Sequence, residues 1–280
     1  MALIESISGI RGIYGMDIDE SIVLRYGYSY LSLLRKNSGK SVPCVVMGMD
    51  TRPSGPILRN ALLGMLDCDI INVDVASTPA VEFAVRHYKA DGGIIITASH
   101  NEPYWNGIKF LGKDGAIIGK NDISEVIANF KLRTFKDFHK IHERKVLNKS
   151  RELLMEYTNF VFETVGLDNI RNIRNSSQKI LVDPNGGAGI SSKSILESAG
   201  VKVEGVNMEA GKFNRKVEPT EDSLVYLVES INSSNSDFAV GFDCDADRIG
   251  ILLKNGRFVS GHQILALIVQ EILSKKNKKG

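Results

Sequence analysis

Apolar residues along this chain fall into short continuous runs and longer interrupted ones, and the two kinds alternate. Residues 42–47, 69–75 and 92–97 are runs of strand length bounded by turn residues, and they read as buried strands. Between them, residues 20–36, 57–65 and 79–88 repeat apolar positions at helical spacing. Ser38-Gly39 punctuates the first helix and Thr78-Pro79 opens the third. A β-α-β-α-β order implies a mainly parallel sheet with right-handed crossovers. Residues 107–118 read as an antiparallel addition turning at Asp114-Gly115, and a helix over 121–132 follows. The stretch 133–150 is rich in Lys, Arg and His without periodicity, which suits a surface linker.

Helical spacing resumes over 150–166, and a second unit repeats the order of elements without repeating the sequence. It comprises a strand at 179–182, a Gly-rich turn at 186–189, a helix to Ser198 and a strand at 201–206. A helix over 222–231, strands at 238–242 and 249–253, and an amphipathic helix over 263–272 complete it. The pattern therefore predicts an α/β protein of two α/β/α domains with mainly parallel, mixed sheets.

Composition narrows the function classes. The chain has 280 residues, 43% hydrophobic and 24% charged, long enough for two cores and ordinary for a globular protein. A net charge of +2 and no nucleic-acid signature argue against nucleic-acid binding. No apolar run is long enough to span a bilayer, so no membrane partner is expected. Residues 1–5 lack the regions of a signal peptide, and cytoplasm is the expected location. Cys44, Cys68 and Cys244 are too few and too unevenly spaced to indicate a disulfide framework or a zinc site.

Polarity switches abruptly after the strand at 92–97, into Thr97-Ala98-Ser99-His100-Asn101 and on through Trp105 to Asn106-Gly107-Ile108-Lys109-Phe110. Loops at the carboxyl ends of strands are where open α/β sheets bind ligands. The plain alternative is a surface turn in which Ser99 and Asn101 bond the local backbone. A hydrolase elbow needs glycines two residues either side of its serine, and Thr97 and Asn101 stand there instead. Residues 6–15 place three glycines around Arg11, which read as a Gly-rich turn with a fork for phosphate or carboxylate. The turn at 186–189 lacks the spacing of a phosphate-binding fingerprint and reads better as a tight strand-to-helix connection.

Asp243, Asp245 and Asp247 alternate, so an extended backbone would put their carboxylates on one side. Oxygen-only ligands favour Mg²⁺ or Ca²⁺. An EF-hand is excluded, because Arg248 and Lys254 occupy its glycine and glutamate positions. A solvated acidic turn is the alternative. A loop serine with a three-carboxylate site is what metal-assisted phosphoryl transfer needs.

Together these stretches resemble the α-D-phosphohexomutase superfamily, the phosphoglucomutases, phosphomannomutases and phosphoglucosamine mutases. Ser8-Gly9-Ile10-Arg11-Gly12 is similar to its N-terminal arginine motif, and Gly48-Met49-Asp50-Thr51-Arg52-Pro53-Ser54-Gly55 to its Gly-x-Asp-x-Arg-x-Ser segment. Residues 97–101 resemble its phosphoserine loop, 106–110 its lysine segment, and 243–248 its Mg²⁺ loop. Glu102 stands where proline is usual and Cys244 where glycine is common, and neither change removes a ligand.

The resemblance implies that phospho-Ser99 gives its phosphoryl group to a hexose phosphate, forming a hexose 1,6-bisphosphate that reorients and returns the other phosphate. His100 and Lys109 would be the acid and base, and Arg11 would hold charge at the catalytic centre. Asp243, Asp245, Asp247 and phospho-Ser99 would hold Mg²⁺, and Arg248 and Arg52 would bind phosphate. It also implies a domain I over 1–145, a domain II over 146–258, and over 259–280 the first helix of a third domain otherwise absent. Full members have four domains, so the chain is expected to be incomplete as a catalyst and to need its missing C-terminal domains in cis or in trans. The alternative is a non-catalytic Mg²⁺- and phosphosugar-binding module, or one half of a split mutase.

Overall fold

The computed structural model of the protein describes residues 3–132 and 143–276, which form two compact units, Met1–Thr164 and Val165–Gly280. The first holds strands β1 (Ile4–Ser6), β2 (Gly9–Ile13), β3 (Cys44–Met49), β4 (Asp69–Val75), β5 (Gly92–Ile96), β6 (Trp105–Leu111) and β7 (Val146–Asn148). Their order across the sheet is β1-β2-β6-β5-β3-β4-β7. β5, β3, β4 and β7 pair in parallel, and β6, β2 and β1 extend the sheet antiparallel.

Side-chain alternation along the strands sets the layers. Val45, Met47 and Met49 of β3 face one core with α1 (Glu20–Ser38), α2 (Gly55–Met65) and α4 (Lys120–Leu132). Val46 faces the other core, with α3 (Thr78–His87) and α5 (Ser150–Val165). Asp19 caps α1 by accepting the Ile22 N–H at 2.8 Å, and Gly39 ends it in the left-handed conformation.

Two readings of this half change. Residues 6–15 are not a Gly-rich turn alone, since β1 and β2 form a hairpin that carries Arg11 into the sheet. The linker expected over 133–150 contains β7, which pairs with β4 and is tied to it by a 2.9 Å Asn72–Asn148 side-chain hydrogen bond. Residues 133–142 of that stretch lie outside the described residues. The first unit consequently runs past the expected boundary at 145, because α5 packs Leu153, Tyr157 and Phe160 around Phe83.

The second unit is smaller. Strands β8 (Lys179–Asp183), β9 (Lys202–Gly205), β10 (Phe238–Phe242), β11 (Ile249–Leu253) and β12 (Phe258–Val259) lie in the order β12-β11-β10-β8-β9. β9, β8 and β10 are parallel, whereas β11 and β12 are antiparallel additions. Leu181, Ala239 and Leu252 pack under α8 (Glu221–Leu224) and α9 (Leu227–Ser234). Ile180, Val182 and Val240 pack under α6 (Leu167–Asn175) and α7 (Ser192–Ser198). The single helix expected over 222–231 is thus two helices, the first opened by a Thr220–Ser223 capping box.

Both units are α/β/α with mixed sheets, the fold class the sequence predicts. α10 (Gly261–Lys276) follows, with Leu265, Leu267, Ile268, Ile272 and Leu273 exposed. Among the described residues no helix is long and apolar enough to cross a membrane.

Candidate functional site

In the first unit β3 and β5 end side by side, with Met49 opposite Ile96, and run on into Asp50-Thr51-Arg52 and Thr97-Ala98-Ser99. Ser99 is 5% exposed and has φ 53°, in the left-handed region that non-glycine residues seldom occupy. Such a conformation persists where its surroundings over-determine it. Thr97 Oγ1 accepts the Ser99 N–H at 2.8 Å, and Ala98 O accepts the Asn101 N–H at 3.2 Å.

Arg52 supplies most of the remaining constraint. It is 0% exposed, and its Nε donates to Asp50 Oδ2 at 3.0 Å. Nη2 donates to the carbonyls of Ser99 and Asn101, both at 2.6 Å. Nη1 donates to those of Glu102 at 2.6 Å and Trp105 at 3.1 Å. A guanidinium has five N–H donors, and all are committed. Arg52 is therefore not available to bind phosphate, contrary to expectation. It clamps the loop that carries Ser99.

Arg11 and Lys109 reach this region on neighbouring strands. Arg11 of β2 lies opposite Gly107 of β6, two residues from Lys109 on the same face. A Cβ on Gly107 would stand 2.9 Å from Arg11 Cγ, and one on Gly9 would stand 3.2 Å from Lys109 Cγ. The two glycines leave room for the stems of two cations to cross the opposing backbone. Arg11 Nη1 donates to Asn101 Oδ1 at 3.2 Å, joining β2 to the serine loop. Lys109 is 3% exposed, and His100 is half-buried beside Ser99. Asn106 donates to Ser54 Oγ at 2.7 Å and pins the far end of the loop to the start of α2.

In the second unit the turn from β10 to β11 brings together Asp243, Asp245 and Asp247. Asp243 and Asp245 are buried and Asp247 is exposed, with carboxylate oxygens within 4.8 Å of one another. They do not converge by extended alternation, as the spacing suggested. The chain turns through Ala246 at φ 54°, with the Ala246 N–H donating to Asp243 O at 3.2 Å. Burial first, then the charges of Asp245 and Asp247, push the Asp243 carboxyl well above the usual carboxylate range. Excess negative charge on oxygen donors alone is the chemistry that a hard divalent cation satisfies, so the residues present fit Mg²⁺ or Ca²⁺.

Arg248 donates its N–H to Asp243 Oδ1 at 3.1 Å, while its side chain pairs with Glu218 in a partly exposed ion pair. Such pairs contribute little and exchange readily. A cavity of about 720 Å³ opens beside it, lined by Asp247, Glu218, Ser260 and His262 among others. Behind the turn, the buried pair Asp183–Arg215 was not anticipated. Arg215 sits in an aperiodic stretch where nothing in the sequence marks it.

The chain matches the family profile "Phosphoglucomutase/phosphomannomutase, alpha/beta/alpha domain I" over residues 4–137 and the corresponding domain II over 155–256. It belongs to the α-D-phosphohexomutase superfamily, matching the N-terminal domains. It is 36% identical over 272 residues to a phosphoglucomutase/phosphomannomutase of Thermococcus kodakarensis, covering 95% of this chain and 58% of that protein. To a probable phosphoglucosamine mutase of Pyrococcus abyssi it is 33% identical, covering 97% of this chain and 58% of the other. The fold is that of a putative phosphomannomutase from Thermus thermophilus, with a TM-score of 0.82 at 24% identity over 98% of this chain and 62% of that one. The chain thus spans a little over half the length of the curated relatives it matches.

Proposed function

We propose that this chain carries the phosphoserine and metal-binding parts of a Mg²⁺-dependent phosphohexomutase, which interconverts hexose 1- and 6-phosphates through a hexose 1,6-bisphosphate. The observation that carries this reading is the clamp on the serine loop. Asp50 and Arg52 hold Ser99 in a left-handed conformation at the carboxyl end of a central parallel strand. A rigidly positioned group is what phosphoryl transfer asks of a protein, since positioning and charge stabilisation supply most of the catalysis.

In the proposed reaction the P–O bond of phospho-Ser99 breaks as a sugar hydroxyl forms a new one. The hydroxyl proton passes to a base, for which Lys109 and His100 are the candidates, and Ser99 Oγ regains a proton. Arg11, held to the loop through Asn101, places positive charge beside the serine loop. Asp243, Asp245 and Asp247 would hold Mg²⁺, which when bound neutralises charge on the transferred phosphoryl group. Arg248 is the candidate for a sugar phosphate, exchanging its exposed partner Glu218 for the ligand.

Two half-reactions test this reading. The chain, alone and again with the C-terminal half of a relative supplied in trans, is incubated with Mg²⁺ and a labelled hexose 1,6-bisphosphate, freed of sugar, and then given an unlabelled hexose 6-phosphate. Label should remain with the protein after the first step and leave as bisphosphate after the second. Label that never resides on the protein would contradict it.

A further inference from the structure

Resting on the metal-site reading above, we propose that Arg215, paired with Asp183, is a positioning residue for the acidic turn. The device is the one that holds the serine loop in the other unit. Asp183 ends β8 and Asp50 follows β3, each at the carboxyl end of a parallel strand, and each pairs with a buried arginine. Arg215 Nε donates to Asp183 Oδ2 at 2.6 Å, and Nη2 donates to Phe242 O at 2.7 Å and Asp183 O at 3.3 Å. Nη1 donates to Lys216 O at 2.9 Å and Val217 O at 3.3 Å, so this guanidinium too has all five donors committed.

Phe242 is the residue before Asp243. Its carbonyl is the last backbone group ahead of the three carboxylates, and Arg215 fixes it. Asp183 is itself held, accepting from Tyr226 Oη at 2.7 Å, the Asn185 N–H at 2.8 Å and Asn207 Nδ2 at 3.1 Å. From the other side, Cys244 O accepts the Ala188 N–H at 2.8 Å. The turn is gripped on both flanks of Asp243, although its three aspartates repel one another. Mg²⁺ demands near-ideal octahedral geometry at about 2.0–2.1 Å, whereas Ca²⁺ accepts looser sites at about 2.3–2.6 Å. A fixed turn therefore favours the smaller ion, and loosening it should erode that preference.

The test is calorimetric titration of the full chain with Mg²⁺ and with Ca²⁺, with thermal unfolding measured alongside. Arg215→Lys keeps a charge beside Asp183 but gives up the fork in which one nitrogen holds Asp183 and another Phe242 O. It should weaken Mg²⁺ binding about tenfold or more, as losing a partner behind a metal ligand does, and should shift the Mg²⁺/Ca²⁺ affinity ratio several-fold toward Ca²⁺. Tyr226→Phe removes the hydrogen bond to Asp183 and the one its Oη accepts from Asn207 Nδ2 at 2.7 Å, at an exposed side chain that tolerates change if the lysine variant does not fold. It should shift the ratio the same way by less. Ile231→Ala, a core truncation in α9, should lower the unfolding temperature and leave the ratio alone. If Arg215→Lys and Tyr226→Phe lower stability without moving the ratio, Arg215 is only a structural residue and the inference falls. If the unaltered chain binds neither ion, the metal-site reading fails first and takes this inference with it.

Discussion

Replacing Arg52 with lysine separates a clamp from a phosphate ligand. The guanidinium serves one carboxylate oxygen and four carbonyl oxygens, all inside the first unit. Lysine offers three donors, so at least two of these acceptors lose a partner while buried. An unsatisfied buried polar group costs about 1–3 kcal/mol, which gives about 2–6 kcal/mol for two. In a unit of this size each kcal/mol moves the unfolding midpoint by roughly 2–4 °C, so a fall on the order of 10 °C is expected. Truncation to alanine should be worse, because it strands Asp50 as a buried unpaired charge at a further cost of about 3–5 kcal/mol. The assay is thermal or denaturant unfolding of the full chain, monitored by circular dichroism. An arginine serving only to bind substrate phosphate would give a lysine variant with an unchanged midpoint. A midpoint within 2 °C of the unaltered chain, roughly the ±0.5 kcal/mol of a surface substitution, would refute the clamp.

Three further outcomes are expected. Asp243 has a folded pKa raised above its ordinary 3.8, so in metal-free protein its stabilising contribution is present below that value and is lost as pH rises through the folded pKa. Asp243→Asn should therefore raise the metal-free unfolding midpoint at neutral pH, flatten its pH dependence and abolish the rise that Mg²⁺ gives the unaltered chain. Gly107→Ala would set a carbon 2.2 Å from Ile10 O and 2.9 Å from Arg11 Cγ, and unfolding assays should show a loss of about 1–3 kcal/mol or more. Lys109→Met keeps the apolar stem of this buried side chain and removes its ammonium, and under the proposed proton-transfer role single-turnover phosphoryl transfer should fall by about 10²–10⁴.

What could be read in the sequence followed from signals that are local. The apolar runs at 42–47, 92–97 and 238–242 give way to polar turns, and the strands end within two residues of them at Met49, Ile96 and Phe242, so the strands and the loops after them are legible. β2 is not, because Gly-Ile-Arg-Gly-Ile has the composition of a turn and becomes a strand by pairing with β1 and β6. β7 is three exposed residues whose pairing with β4 leaves no periodicity to detect. The aspartates of the acidic turn were found by spacing, although Ala246 brings them together through a turn that spacing does not encode. A sequence displays the charge of Arg52 but not its burial, and its commitment to the serine loop shows only in the fold. Arg215 lies 32 residues from Asp183 in an irregular stretch, and only the folded chain reveals the pair.

The most direct measurement is peptide-level mass spectrometry of the full chain after incubation with a hexose 1,6-bisphosphate and Mg²⁺. The proposed function predicts a single phosphate on Ser99, absent from Ser99→Ala and sharply reduced in Asp245→Asn. Phosphate on another residue, with Ser99 unmodified, would contradict it.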